Sequence, residues 1–154
     1  MEGAVVFQPD QKEFLPMQKT ILIADDDHEL VDAMAIRCRR HGLKALCAHD
    51  AFTALSMIKS ESPDMVCLDV EMPAGNGLSV CEMLASDDEC RAIPVAIMTG
   101  RTDPDTIIRC HNLCAYYVEK CPDVWSRLEP LLTEILGPAA AASQPRQLHF
   151  DQRC

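Results

Sequence analysis

Five short apolar runs recur along the chain, and each is followed by a segment whose apolar residues return every three or four positions. The runs are Lys19–Ala24, Leu43–His49, Met65–Asp69, Pro94–Thr99 and Tyr116–Glu119. Each is short, uninterrupted and bounded by turn or charged residues, which predicts strands buried on both faces; Leu43–His49 is the weakest in pattern. Between them, Leu30, Met34 and Cys38 fall at i, i+4, i+8 with Val31 and Ala35 beside them, predicting a helix over 29–41 that Gly42 stops. Arg37, Arg39 and Arg40 form its solvated side. Ala54, Leu55 and Ile58 predict a helix over 51–60. Leu78, Cys81, Leu84 and Ala85 predict a third, after the turn-rich Pro73-Ala74-Gly75-Asn76-Gly77 and before the polar run Ser86–Glu89. Ile107, Ile108 and Cys110 mark a fourth over 103–112, and Val124, Leu128, Leu131, Leu132 and Ile135 a fifth, closed by Gly137-Pro138.

The termini lack this order. Residues 1–18 have no sustained periodicity and carry Pro9 and Pro16, so they are expected to form a flexible arm. Residues 138–154 hold an alanine run and no core pattern, with His149-Phe150 as the one docking candidate, and are expected to be a disordered tail. A single domain over 19–137 remains. Strand and helix alternate five times within it, which implies an α/β fold with a parallel sheet covered on both faces by right-handed crossovers.

Open parallel sheets place their chemistry at the carboxyl ends of the strands. Four of the five predicted strands end there in a polar group: Asp25 and Asp26 (with Asp27) after the first, Asp69 after the third, Thr99 after the fourth and Lys120 after the fifth. Each alone reads as a helix cap, a turn residue or a solvated charge. Together they converge on one rim although they are far apart in sequence.

Composition narrows the classes. Apolar residues make up 48% and charged residues 25%, ordinary for a globular chain. A net charge of −10 argues against holding nucleic acid by a basic surface and leaves a basic protein partner open. No run of about 18 apolar residues is present to span a membrane, and the acidic, polar N-terminus lacks a signal-peptide core. Nine cysteines, several inside apolar periodic runs, read as reduced and mostly buried thiols of a cytoplasmic protein. Cys110-His111-x-x-Cys114 has no second cluster to complete a metal site and reads as a chance pair on a helix.

Three neighbouring carboxylates repel one another, and a hard divalent cation relieves that repulsion. Mg²⁺ takes a few oxygen ligands and favours a phosphate oxygen as a further one. In such a site Asp69 is the candidate nucleophile for a phosphoryl group, Thr99 a hydrogen-bond donor to it, and Lys120 an ion-pair partner of the carboxylate or the phosphate.

The motifs Ile21-Leu22-Ile23-Ala24-Asp25-Asp26-Asp27, Val66-Cys67-Leu68-Asp69-Val70-Glu71-Met72-Pro73 with Gly77-Leu78, Pro94-Val95-Ala96-Ile97-Met98-Thr99-Gly100 and Tyr117-Val118-Glu119-Lys120 resemble, in order and spacing, the receiver domain of two-component response regulators over about residues 19–136. The resemblance implies a flavodoxin-like doubly wound (βα)5 fold with a five-stranded parallel sheet of order 2-1-3-4-5. It implies a stand-alone, chemotaxis-regulator-like response regulator in which Asp69 accepts a phosphoryl group from a histidine kinase or phosphotransfer protein. It assigns Mg²⁺ (or Mn²⁺ in its place) to Asp26, Asp69 and the Glu71 backbone carbonyl, with Asp25 acting through water. Thr99 and Tyr117 become the switch pair, and Lys120 the phosphate-sensing cation. The switched surface is the face of the fourth helix, fifth strand and fifth helix, read by a downstream protein, with no nucleic acid or membrane as partner and a monomer or weak homodimer as the assembly.

Two departures stand out. The family usually carries Pro directly after the lysine, whereas here Cys121 intervenes before Pro122, which leaves the presentation of Lys120 open. Asn76 occupies a position that is commonly acidic, with a local turn effect expected. Glu71 and Arg101, each two residues beyond a site residue, are expected to flank the mouth, pair, and shield the acyl phosphate from water. Two other readings compete with this one. A haloacid-dehalogenase-type phosphohydrolase would use Asp25-x-Asp27, but its motif continues Gly-Thr where His28-Glu29-Leu30 follows here, and Asp69 would have no role. A receiver-like interaction module that never takes phosphate would not need the complete set of Asp25, Asp26, Asp69, Thr99 and Lys120. A switch rather than a multiple-turnover enzyme is the expectation.

Overall fold

Parallel strands joined by helical crossovers organise the computed structural model, which describes residue 3 and residues 17–137. In chain order the elements are β1 (Thr20–Ala24), α1 (His28–Arg40), β2 (Lys44–Ala48), α2 (Ala51–Glu61), β3 (Met65–Asp69), β4 (Glu71–Met72), β5 (Gly75–Asn76), α3 (Gly77–Ala85), β6 (Val95–Thr99), α4 (Pro104–Asn112), β7 (Tyr116–Glu119) and α5 (Val124–Leu136). The main sheet runs β2-β1-β3-β6-β7, all parallel, which is the expected 2-1-3-4-5 order for the five long strands. The predicted arm and tail fall, apart from residues 3, 17 and 18, outside the described residues.

The reason for the uninterrupted apolar strands is visible in the two cores. One forms between the sheet and α1 and α5, with Ile21, Ile23, Cys67, Met98, Met34, Trp125 and Leu128. The other forms on the opposite face beneath α2, α3 and α4, with Leu22, Leu68, Ile97, Ile58, Leu78 and Leu84. Alternate residues of β1, β3 and β6 feed opposite cores, so both faces must be apolar. β2, at the sheet edge, is only partly buried, in keeping with its weaker pattern.

The helices start where the sequence supplies caps. Asp27, Asp50, Asn76, Asp103 and Asp123 each accept a backbone N–H of the following turn, an arrangement worth about 1 kcal/mol per helix. Asn76 therefore does more than shape a turn, since its Oδ1 takes the Leu78 N–H at 2.7 Å and starts α3. α5 continues through Pro130 in its interior, because Leu128, Leu132 and Leu136 remain buried on either side of it.

Three expectations need correction. The segment after Asp69 is not a plain loop: Glu71–Met72 and Gly75–Asn76 pair as a small antiparallel ribbon, turning through Ala74 at φ 59° and Gly75 at φ 141°. Two-residue strands carry no alternation that could reveal them. In α4, Ile107 and Ile108 are exposed, and the buried residues are Thr106 and Cys110. Ile107 and Ile108 thus lie on the face that α4 turns outward. Similarly Ala85 is exposed at the end of α3.

Candidate functional site

The strand order brings the carboxyl ends of β1, β3, β6 and β7 side by side, and the predicted polar residues meet there. Asp25 directly follows β1 and is fully buried; Asp69 ends β3 and is 6% exposed; Thr99 ends β6 and is buried. Carboxylate oxygens of Asp25, Asp26 and Asp69 lie within 4.8 Å of one another, the one such His/Cys/Asp/Glu group of three or more among the described residues. Asp26 is the exposed member and forms the solvent side of the trio.

Lys120 closes the site from the fourth side. Its backbone N–H donates to the Thr99 carbonyl at 2.9 Å, extending the β6–β7 ladder by one rung. Its Nζ reaches Asp25 Oδ2 at 2.5 Å and Asp69 Oδ2 at 3.1 Å. The displaced proline therefore does not displace the lysine, and the peptide bonds of the described residues are all trans. Asp25 Oδ1 takes the Asp27 N–H at 3.0 Å. Asp25 Oδ2 is fully buried and has the Lys120 ammonium as its ion-pair partner.

The electrostatics follow from two carboxylates sharing one ammonium. Burial, and then the charge of Asp25, push the Asp69 carboxyl above its usual range, with Lys120 pulling the other way. For Lys120, burial favours the neutral amine, but hydrogen-bond and charge contributions from Asp25 and Asp69 outweigh it and raise its pKa. The two raised values are compatible, since neither describes an isolated pair: Lys120 feels two anions, while Asp69 feels a second anion and low solvation.

Thr99 Oγ1 accepts the Arg101 N–H at 3.1 Å, so its hydroxyl proton remains available to donate. Tyr117 donates its hydroxyl to the Arg101 carbonyl at 2.8 Å, tying β7 to the loop before α4. The Arg101 side chain, half exposed, stands 3.5 Å from Glu71 Oε1 and 3.3 Å from Asp103 Oδ2. Glu71 and Arg101 are thus neighbours across the mouth, and Arg101 has a further partner in the α4 cap that sequence reasoning missed.

Asp27 does not join the cluster. It is exposed, and its carboxylate is spent on the Leu30 N–H at 3.1 Å. This removes the second carboxylate that a phosphohydrolase of Asp25-x-Asp27 type requires. Gly77, part of the sequence motif but given no role there, has a steric one: a Cβ would lie 1.9 Å from the Asp69 carbonyl oxygen, so only a glycine lets α3 begin against the end of β3. The eight described cysteines are free; Cys38, Cys67, Cys81, Cys90 and Cys110 are buried, Cys47 and Cys121 half-buried, and Cys114 exposed. Burial raises the Cys81 thiol to about 11, which keeps it protonated and unreactive. No helix among the described residues is long and apolar enough to cross a membrane.

Comparison with known proteins agrees with this geometry. The sequence model of the response regulator receiver domain matches residues 21–124. The DNA-binding response regulator MtrA of Mycobacterium tuberculosis is 32% identical over 92 residues, which cover 60% of this chain and 39% of that protein. The chain therefore spans well under half the length of that relative. A CheY-like response regulator receiver domain protein from Methanospirillum hungatei has a TM-score of 0.70 at 22% identity, over 77% of this chain and 94% of that one. The Mn²⁺-bound form of response regulator Rcp1 has a TM-score of 0.66 at 18% identity, over 75% and 92%. With the family model covering two thirds of its length, the chain belongs to the response regulator receiver domain family.

Proposed function

We propose that this receiver is a phosphorylation switch in which Asp69 accepts a phosphoryl group from a histidine kinase or phosphotransfer protein. The observation that carries the reading is the trio of Asp25, Asp26 and Asp69 with Lys120 Nζ at 3.1 Å from Asp69. A free Asp69 oxygen attacks phosphorus, the bond from phosphorus to the donor nitrogen breaks, and its electron pair leaves on that nitrogen. Lys120 holds Asp69 Oδ2, which orients the carboxylate and leaves the other oxygen for attack. The Thr99 hydroxyl, freed to donate by the Arg101 N–H, meets a phosphoryl oxygen.

The residues fit a hard divalent cation. Three converging carboxylates, Asp25 among them fully buried, carry only one ammonium between them. Asp26, Asp69 and the Glu71 carbonyl would hold Mg²⁺ or Mn²⁺, with Asp25 acting through water. Bound there, the ion would neutralise charge on the transferring phosphoryl group. Arg101 and Glu71 shield the mouth of the site and lengthen the life of the acyl phosphate. Tyr117 and Thr99 relay occupancy to the face of α4, β7 and α5, where Ile107, Ile108 and Tyr116 are exposed for a protein partner.

The relative MtrA bears the words DNA-binding in its name, so the acidic charge of this chain is no argument against nucleic acid in a protein that contains such a receiver. The reading is tested by acetyl phosphate with Mg²⁺. One acid- and base-labile phosphoryl group per chain, lost in Asp69→Ala, is expected. Sustained turnover of a generic phosphate ester would overturn it.

A further inference from the structure

The Asp25-Asp26-Asp27 elbow has to hold its carboxylates in place just where the sheet stops supporting them. β1 and β2 pair in register from Thr20 with Lys44 to Ala24 with Ala48, and the last backbone rung is the Asp25 N–H to the Ala48 carbonyl at 3.1 Å. A parallel ladder would next bring a β2 amide to the Asp25 carbonyl. Here the chain turns away at Asp50 to cap α2. The His49 side chain takes up that position instead, with Nδ1 at 3.1 Å from the Asp25 carbonyl oxygen. Because a carbonyl can only accept, Nδ1 carries the proton.

His49 is itself held. Its ring stacks on that of His28, the first residue of α1, with centroids 3.7 Å apart and planes 12° from parallel. The elbow is therefore bracketed from both sides, by a hydrogen bond on the Asp25–Asp26 peptide and by a stacked pair joining the β2–α2 loop to the start of α1. Fixing that peptide fixes the direction in which Asp26 leaves the backbone.

We propose that His49 is a positioning residue for cation binding, supplying the missing rung that orients the Asp25–Asp26 peptide, with His28 holding its ring in place. The inference rests on the divalent-cation reading of the carboxylate trio. Outer groups that orient ligands change metal affinity by about 10–100-fold when removed, and the same range is expected here.

The test is Mg²⁺ titration by calorimetry at one fixed pH, on wild type, His49→Ala, His49→Asn and His28→Ala. The Asn side chain offers an N–H at the position of Nδ1 without the ring. His49→Ala is expected to weaken Mg²⁺ binding at least tenfold, His49→Asn to recover most of the loss, and His28→Ala to lose less than His49→Ala. Without any metal, the amide resonances of Asp26 and Asp27 are expected to shift in His49→Ala and to return in His49→Asn. Wild-type affinity in His49→Ala, or equal loss in the Ala and Asn variants, would overturn the role of His49 while leaving the cation reading intact. A wild type that takes up no Mg²⁺ would overturn both.

Discussion

Lys120 Nζ lies closer to Asp25, at 2.5 Å, than to Asp69, at 3.1 Å. The ammonium is thus divided between two buried carboxylates, and the one proposed to take the phosphoryl group has the weaker share. Burial and the neighbouring Asp25 charge hold the Asp69 carboxyl above its usual range. A carboxyl raised in the folded state binds protons there that the unfolded chain has already released. Stability therefore falls as pH rises from the ordinary carboxylate range through the raised value of Asp69.

Asp69→Asn removes that cost. Without divalent ions, the variant is expected to be more stable than wild type at neutral pH, with the difference vanishing in acid. Thermal unfolding across pH measures this. A wild type that is the more stable at neutral pH would contradict it.

Lys120→Ala leaves Asp25 and Asp69 without their cation. Breaking a buried pair in this way costs about 3–5 kcal/mol. Denaturant unfolding should show that loss in the wild-type background and a smaller one beside Asp69→Asn, where only Asp25 stays unpaired. Equal losses in the two backgrounds would mean that Asp69 does not share the ammonium.

Gly77 lets α3 start against the Asp69 carbonyl, where a Cβ would stand 1.9 Å from the oxygen. In Gly77→Ala either α3 or the end of β3 must move. A displacement of about 1 Å at a reacting carboxylate can lower a rate about a hundredfold. Gly75→Ala is the matched control, strained by a φ of 141°, but with a Cβ that would meet Ala51 rather than Asp69. Phosphorylation by acetyl phosphate, measured where both variants are folded, should fall much further for Gly77→Ala.

Arg101 stands 3.5 Å from Glu71 on a half-exposed contact, and such pairs are worth at most about 1 kcal/mol. Arg101→Ala is therefore expected to speed loss of the phosphoryl group by up to about fivefold. An unchanged dephosphorylation rate would remove the shielding role.

Much of this site could be read from residues because the strands that carry it are buried on both faces. Their apolar runs gave the strand ends, and the strand ends gave Asp25, Asp26, Asp69, Thr99 and Lys120. Hidden features depend on contacts between segments that no local pattern encodes. The ribbon of Glu71–Met72 and Gly75–Asn76 is too short for a period. His49 looks like the polar end of a weak strand until the turn at Asp50 leaves the Asp25 carbonyl without a backbone donor. Ile107 and Ile108 follow helical spacing, yet α4 turns them outward while Thr106 and Cys110 face the core. Lys120 is in place because its own N–H bonds to the Thr99 carbonyl, an interaction indifferent to whether proline stands at 121 or 122.

The most direct measurement is two-dimensional NMR with beryllofluoride and Mg²⁺, on wild type and Asp69→Ala. Beryllofluoride takes the place of a phosphoryl group on a carboxylate. The account predicts resonance shifts at Asp69, Thr99, Lys120 and Tyr117 that extend into α4 in wild type and are absent in the variant. A wild-type spectrum that does not change, or one that changes equally in Asp69→Ala, would contradict it.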